Sequence, residues 1–150
     1  MYLVSRELKQ FSAAHRLNKG YRGKCQHLHG HNYTVRVTLS VSQLDPFDFV
    51  MDFDDIKKLF DTWVQEYWDH VTLVSEQDTT LIGFLRTEKQ RFFIIPGGAN
   101  TTAEVLAHYL FTQFNRILSD ELSRGCLLHS VTLHRIDVFE SSRSEASYEP

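Results

Sequence analysis

A chain of 150 residues with 42% hydrophobic content is long and apolar enough for one compact domain, expected over residues 1–150. A net charge of -3, a pI near 6.2 and the lack of any Lys/Arg-rich run argue against a nucleic-acid partner. No apolar run approaches a bilayer crossing and no signal peptide is legible, so no membrane partner is expected. The only cysteines, Cys25 and Cys126, suit a cytoplasmic protein better than a disulfide scaffold.

In chain order, residues 2–14 read as a first strand, followed by a Gly/Lys/Arg-rich loop over 16–24. A very regular strand over 31–43 comes next. Its odd positions Tyr33, Val35, Val37, Leu39 and Val41 are apolar, and its even positions Asn32, Thr34, Arg36, Thr38 and Ser40 are polar. That period of two marks a half-buried antiparallel strand, which Asp45-Pro46 ends. Residues 54–68 show helical spacing, with Ile56, Leu59, Phe60, Trp63, Val64 and Tyr67 on one stripe. Between 75 and 98 the pattern is weakest, with a short helix over 80–89, a short strand over 91–95 and a turn at Pro96-Gly97-Gly98. A further helix opens at Thr101, where Thr101-x-x-Glu104 forms a capping box. Its buried face would be Ala103, Leu106, Ala107, Leu110, Phe114 and Ile117. Residues 128–140 read as a strand, and 146–149 as a short last strand or a tail. Strands in pairs with helices between them indicate an α+β fold, an antiparallel sheet with helices on one face.

The chemistry concentrates at the mouth of the regular strand. In an extended chain residues two apart point the same way, so His29 and His31 address one ion from one face. Gly30 keeps the space between them open. His15 ends a strand that can pair alongside. Three imidazoles suit zinc and leave a coordination position for water or substrate. A closed structural site with Cys25 as fourth ligand has the same spacing. Cys25 is otherwise a thiolate base or nucleophile, or a small buried hydrophobe; Cys126 takes the last reading. Asp69 beside His70 fixes an imidazole tautomer for acid–base work, or His70 simply closes the preceding helix. Glu140, ending a strand, can accept paired N–H donors from a ligand edge or stand in solvent. His27, His108, His129 and His134 carry no spacing argument and read as structural.

An ordered set of segments resembles the 6-pyruvoyltetrahydropterin synthase / 6-carboxytetrahydropterin synthase family. It comprises Phe11-Ser12-Ala13-Ala14-His15-Arg16-Leu17, Cys25-x-x-x-His29-Gly30-His31-Asn32-Tyr33, Val50-Met51-Asp52-Phe53 and Trp68-Asp69-His70-Val71-Thr72-Leu73. Thr102-Ala103-Glu104, Val138-Phe139-Glu140-Ser141 and Ala146-x-Tyr148 complete it. Thr101 stands where the family commonly has Pro, Ser141 where it has Thr, and the segment over 75–99 is longer than in its shortest members. The resemblance implies a tunnelling fold: an antiparallel four-stranded sheet with two helices on one face, oligomerising into a barrel. Relatives are commonly hexamers with active sites at subunit interfaces.

The implied substrate is 7,8-dihydroneopterin triphosphate. His15, His29 and His31 would be zinc ligands, with Cys25, Asp69 and His70 catalytic. Glu140, Glu104 and Thr102 would bind the pterin. The Cys25-x-x-x-His29 spacing is similar to that of the 6-carboxytetrahydropterin branch, which serves queuosine and related 7-deazapurines. The alternative is the 6-pyruvoyl branch of the tetrahydrobiopterin pathway. A rival of another class is a non-catalytic zinc-binding module.

Overall fold

The computed structural model describes residues 1–125 and 130–150. Cys126, His129 and the start of the strand expected over 128–140 lie outside the described residues. The described strands are β1 (Tyr2–Glu7), β2 (Phe11–His15), β3 (His29–Val41), β4 (Val71–Ser75), β5 (Phe92–Ile95), β6 (Thr132–Ser141) and β7 (Ser144–Tyr148). The described helices are α1 (Phe53–Tyr67), α2 (Thr79–Thr87) and α3 (Ala103–Ser123).

β3 is the spine. Its first half pairs with β2 and its second half with β1, while β6 runs along its other edge, all antiparallel. The segment expected as one strand over 2–14 is therefore two strands, separated at residues 8–10. Asp61 of α1 holds the crossing, its buried carboxylate accepting the Lys9 N–H at 2.8 Å. Leu8 N–H still donates to Val35 at 2.8 Å, so the backbone is bonded through the break.

The expected four-stranded antiparallel sheet with two helices needs correction. The described sheet has seven strands in the order β5-β4-β2-β3-β6-β7, with β1 also on β3. β2–β4 and β4–β5 are parallel pairs, so the sheet is mixed. β4 escaped sequence reading because Val71–Ser75 is buried on both faces and shows no alternation. Its neighbours alternate between two clusters. Leu73 and Ile95 join the main core, while Val74 packs with Leu81, Ile82 and Leu85 of α2. α2 thus lies on the opposite face from α1 and α3, a separate small layer built on the insertion.

α1 and α3 cover the other face. Phe60 and Phe114 are fully buried with ring centroids 4.6 Å apart, over Val35, Val37, Leu39 and Ile136 of the sheet. Asp52 caps α1 by accepting the Asp54 N–H at 2.7 Å. α3 has no such side-chain cap: Thr102 is its N-cap residue and makes no capping bond. The expected Thr101/Glu104 capping box is therefore absent, because Thr101 is fully buried and bonded to His15 and Arg16 instead. None of these helices is long and apolar enough to cross a membrane.

One ion pair ties the insertion to the end of β2. Arg16 donates from Nε and Nη2 to the two oxygens of Asp78, each at 2.7 Å, and Asp78 also caps α2 through the Leu81 N–H at 3.2 Å. The Arg16 hydrogen bonds outweigh burial and hold the Asp78 carboxyl below its ordinary range. Its stabilisation is complete above about pH 4, the ordinary carboxylate value, and is lost as pH falls through the lower folded value. Asp78→Ala is expected to cost about 2–3 kcal/mol in urea unfolding, by loss of cap and pair. Asp78→Asn, which can still cap, is expected to cost less, and its deficit against the unaltered chain should vanish in acid.

Candidate metal centre and active site

The β2–β3 ladder sets the site. His15 pairs with His29, Ala13 with His31 and Phe11 with Tyr33. Because side chains alternate across a strand, this register places His15, His29, His31 and Tyr33 on the face that α3 covers. Imidazole centroids are 4.6 Å apart for His15–His29, 5.1 Å for His15–His31 and 5.0 Å for His29–His31. One nitrogen from each ring falls within 4.8 Å of the others. That grouping does not extend to Cys25.

The hydrogen bonds assign the tautomers. His15 Nδ1 lies 2.7 Å from the Thr101 carbonyl and His29 Nδ1 2.7 Å from the His27 carbonyl. A carbonyl only accepts, so both Nδ1 atoms carry the proton and both Nε2 atoms present a lone pair. Those Nε2 atoms are buried and have no hydrogen-bond partner among the described residues. Two unpaired buried acceptors beside a third imidazole are costly as they stand, and they are the donor set a divalent cation needs. Burial, only partly offset by the Thr101 carbonyl and reinforced by the neighbouring imidazoles, lowers the His15 pKa to about 4. His15 therefore stays neutral, the form that ligates metal.

Gly30 does a different job from the one expected. It points away from the imidazoles, and a Cβ there would meet the Ala13 carbonyl oxygen at 3.2 Å. The glycine lets β2 approach β3 closely rather than clearing room for an ion.

A cavity of about 270 Å³ opens over the triad, and Cys25, Thr102, Glu104 and Glu140 line it. They arrive from three separate parts of the chain. Cys25 lies in a single 3-10 turn, Lys24–Gln26, whose Cys25 carbonyl accepts the Leu17 N–H at 2.8 Å. That bond returns the loop to the end of β2. Thr102 and Glu104 stand at the start of α3, and Glu140 near the end of β6. With no capping box, the Glu104 carboxylate is left to the cavity. Such a cavity offers carboxylate acceptors, a thiol and three imidazole lone pairs to one small ligand.

Asp69 and His70 are placed elsewhere. Asp69 accepts the Ser12 N–H at 3.0 Å and holds His70 Nδ1 at 2.9 Å. Burial opposes the Asp69 charge, but the Ser12 N–H and His70 overcome it and hold the carboxyl below its ordinary range. His70 takes a left-handed φ of 58° and donates its backbone N–H to Ser12 at 2.7 Å, so the pair turns the chain from α1 into β4. Its imidazole is 77% exposed. His70 lines a different cavity from Cys25, and among the described residues no hydrogen bond or ion pair joins the dyad to the thiol.

Two residues that sequence reasoning passed over belong to the site. Thr101 orients His15 through its carbonyl, a backbone role that no side-chain pattern announces. Tyr33 is fully buried beneath the triad, its ring centroid 5.3 Å from that of His31 and its hydroxyl without a hydrogen-bond partner among the described residues. Burial, with Glu140 and Cys25 nearby, raises its pKa and keeps it a phenol. The odd-numbered series His29, His31, Tyr33 was the available signal.

A profile of the 6-pyruvoyl tetrahydropterin synthase family matches residues 4–150. The chain is 32% identical over 127 residues to a protein of Haemophilus influenzae named 6-carboxy-5,6,7,8-tetrahydropterin synthase, covering 81% of this chain and 85% of that one. A protein of the same name from Rickettsia bellii is 33% identical over 102 residues, covering 67% and 72%. Among solved structures, Caenorhabditis elegans 6-pyruvoyl tetrahydropterin synthase superposes with a TM-score of 0.66 at 25% identity, covering 100% of this chain and 97% of that one. An uncharacterized protein from Wolinella succinogenes gives 0.76 at 18% identity, covering 99% and 97%. The fold is the tunnelling fold that the sequence resemblance implied, with a mixed sheet of seven described strands and three described helices. With the profile spanning nearly all of its length, the chain belongs to the 6-pyruvoyl tetrahydropterin synthase family.

Proposed function

We propose that this chain, as one domain over residues 1–150, is a cytoplasmic, zinc-dependent 6-carboxy-5,6,7,8-tetrahydropterin synthase. It converts 7,8-dihydroneopterin triphosphate and one water to 6-carboxytetrahydropterin, acetaldehyde and triphosphate, for queuosine and related 7-deazapurines. The observation that carries the reading is the pair of orphaned, buried Nε2 atoms of His15 and His29, beside His31 and under a cavity that contains Cys25. Relatives bearing the 6-carboxy name, and the Cys25-x-x-x-His29 spacing, support this branch. The 6-pyruvoyl branch is the alternative, favoured by the name of the solved C. elegans relative. A closed, non-catalytic zinc module is disfavoured because Cys25 lies outside the ligand grouping.

His15, His29 and His31 would hold the zinc, and when bound it polarises the side-chain hydroxyls of the substrate as a Lewis acid. Glu140, with Glu104 and Thr102, fixes the pterin by accepting from its amino and ring N–H groups, a paired geometry that orients as well as binds. The Cys25 sulfur, on the same cavity wall, removes a proton from the side-chain carbon next to a hydroxyl, and triphosphate departs. Thr101 and the His27 carbonyl keep the imidazole lone pairs aimed inward throughout.

The Asp69–His70 dyad enters from another subunit. Asp69 holds the His70 Nδ1–H, so Nε2 is free to relay a proton to or from a Cys25 thiol. Because His70 is exposed and lines a different cavity from its own Cys25, the reading requires a homo-oligomer, a hexamer in keeping with the family. Among the described residues β1 and β7 each leave an outer edge unpaired, which gives such an assembly strands to join.

Chelator-treated protein is expected to take up one zinc per chain and to gain about 4 kcal/mol of stability at roughly a thousandfold excess over Kd. His15→Ala and His29→Ala should each abolish that gain. Cys25→Ala is expected to keep zinc and fold while losing turnover by about 10³-fold or more; loss of zinc with the thiol would establish the closed module instead. Glu140→Gln should raise KM about tenfold or more without changing zinc content. Mass spectrometry of the product from dihydroneopterin triphosphate decides the branch: 6-carboxytetrahydropterin with acetaldehyde is expected, and a 6-pyruvoyl product would overturn it.

A further inference from the structure

A triphosphate ester carries several negative charges, and the cavity over the triad is poorly suited to them. Glu104, Glu140 and Glu145 line it, and no Lys or Arg does among the described residues. Carboxylates that fix a pterin ring repel the phosphate tail on the same molecule. The tail needs cations elsewhere.

The larger cavity supplies them. It holds about 650 Å³, and His31 lines both it and the cavity of the triad. Its other strand residues, Ser12, Asn32 and Thr72, point to the face opposite the imidazoles, so within one chain the sheet divides the two cavities, and this one would serve the triad of the neighbouring subunit that takes the dyad. Among the described residues its lining contains no Asp or Glu, but it contains Lys89, Arg91 and His70 together with the polar side chains Ser12, Asn32 and Thr72. His70 is already held by Asp69 at 2.9 Å. Arg91 uses two donors on the carbonyls of Glu66 and Asp69, at 2.9 and 3.3 Å, so part of its five-donor fork stays open. The ammonium of Lys89 has no ion-pair partner among the described residues.

The backbone holds these cations in place. Lys89 closes α2 in the left-handed conformation, φ 53°, where glycine or asparagine is usual. The Gln90 N–H returns to the Leu85 carbonyl at 2.8 Å, and the Thr72 N–H bonds the Arg91 carbonyl at 3.1 Å. The turn after α2 is thus tied both to its helix and to β4, just beyond His70. Both cations belong to the inserted segment, so the small extra layer around α2 has a chemical consequence: it delivers fixed positive charge beside the dyad.

We infer that the cavity bearing Lys89, Arg91 and His70 is an oligophosphate subsite, which receives the triphosphate tail of the substrate. This rests on the proposed substrate for the identity of the tail, but not for the charge it binds. Lys89 is a specificity residue, acting on affinity for the tail rather than on proton transfer.

Lys89→Asn tests it, since asparagine tolerates the same backbone conformation and the fold survives. Calorimetric titration with inorganic tripolyphosphate is expected to show affinity falling about tenfold in Lys89→Asn and unchanged in Lys58→Gln, an exposed lysine of α1. With dihydroneopterin triphosphate, KM should rise by a similar factor while kcat moves less than about twofold. Equal tripolyphosphate affinity in Lys89→Asn and the unaltered chain overturns the subsite. Weakened tripolyphosphate binding with an unchanged KM overturns its assignment to the substrate, leaving another oligophosphate as its ligand. Weakened tripolyphosphate binding by a chain that does not turn over the pterin at all upholds the subsite and sinks the proposed function instead.

Discussion

The antiparallel pairing of β2 with β3 is the constraint on which the rest depends. It sets His15 opposite His29 and Ala13 opposite His31, so three imidazoles from two strands meet on one face. A slip of one residue would send His29 and His31 to the other face with the whole alternating pattern. That slip is prohibited by the same alternation further along, where Tyr33, Val35, Val37 and Leu39 are all fully buried. The apolar half of β3 thereby enforces the register of its polar half. Gly30 serves the pairing too, by letting the Ala13 carbonyl approach.

Around that ladder the protein aims lone pairs rather than charges. Two carbonyls, of Thr101 and His27, take the Nδ1 protons and leave Nε2 atoms facing inward. Thr101 is spent on this task and on Arg16, and α3 begins one residue later, at an N-cap Thr102 that makes no side-chain capping bond. A local rule of helix initiation yields to a tertiary contact, and the yielded Glu104 lines the cavity. The conflict between propensity and structure falls at the site, where such conflicts are expected.

The sheet's other end has a separate logic. Asp69 and His70 turn α1 into β4 and pin β2 through both directions of hydrogen bonding with Ser12. Beside them, the insertion adds α2 and β5, its own small apolar cluster, and the bidentate Arg16–Asp78 pair. That pair follows His15 directly, so the insertion also braces the strand end that bears one imidazole. Acidic and basic groups are thus segregated into two cavities that share His31.

Much of this was legible in the residues alone. The period of two from His31 onward marked β3, and the stripe over 54–68 marked α1, because amphipathic elements write their buried face into their spacing. The nearness of His15 to His29 and His31 was readable as soon as one strand was taken to pair beside another. Less was readable where burial is two-sided or where the backbone does the work. β4 has no alternation, so neither its existence nor its parallel pairing could be inferred. The break between β1 and β2 depends on Asp61 reaching Lys9 from a distant helix. Thr101 orients an imidazole with a carbonyl that every residue possesses. That His70 and Cys25 line different cavities is a matter of tertiary placement, which their positions in the sequence do not encode. Periodicity records which way a side chain points; what it meets there is decided by packing between elements far apart in the chain.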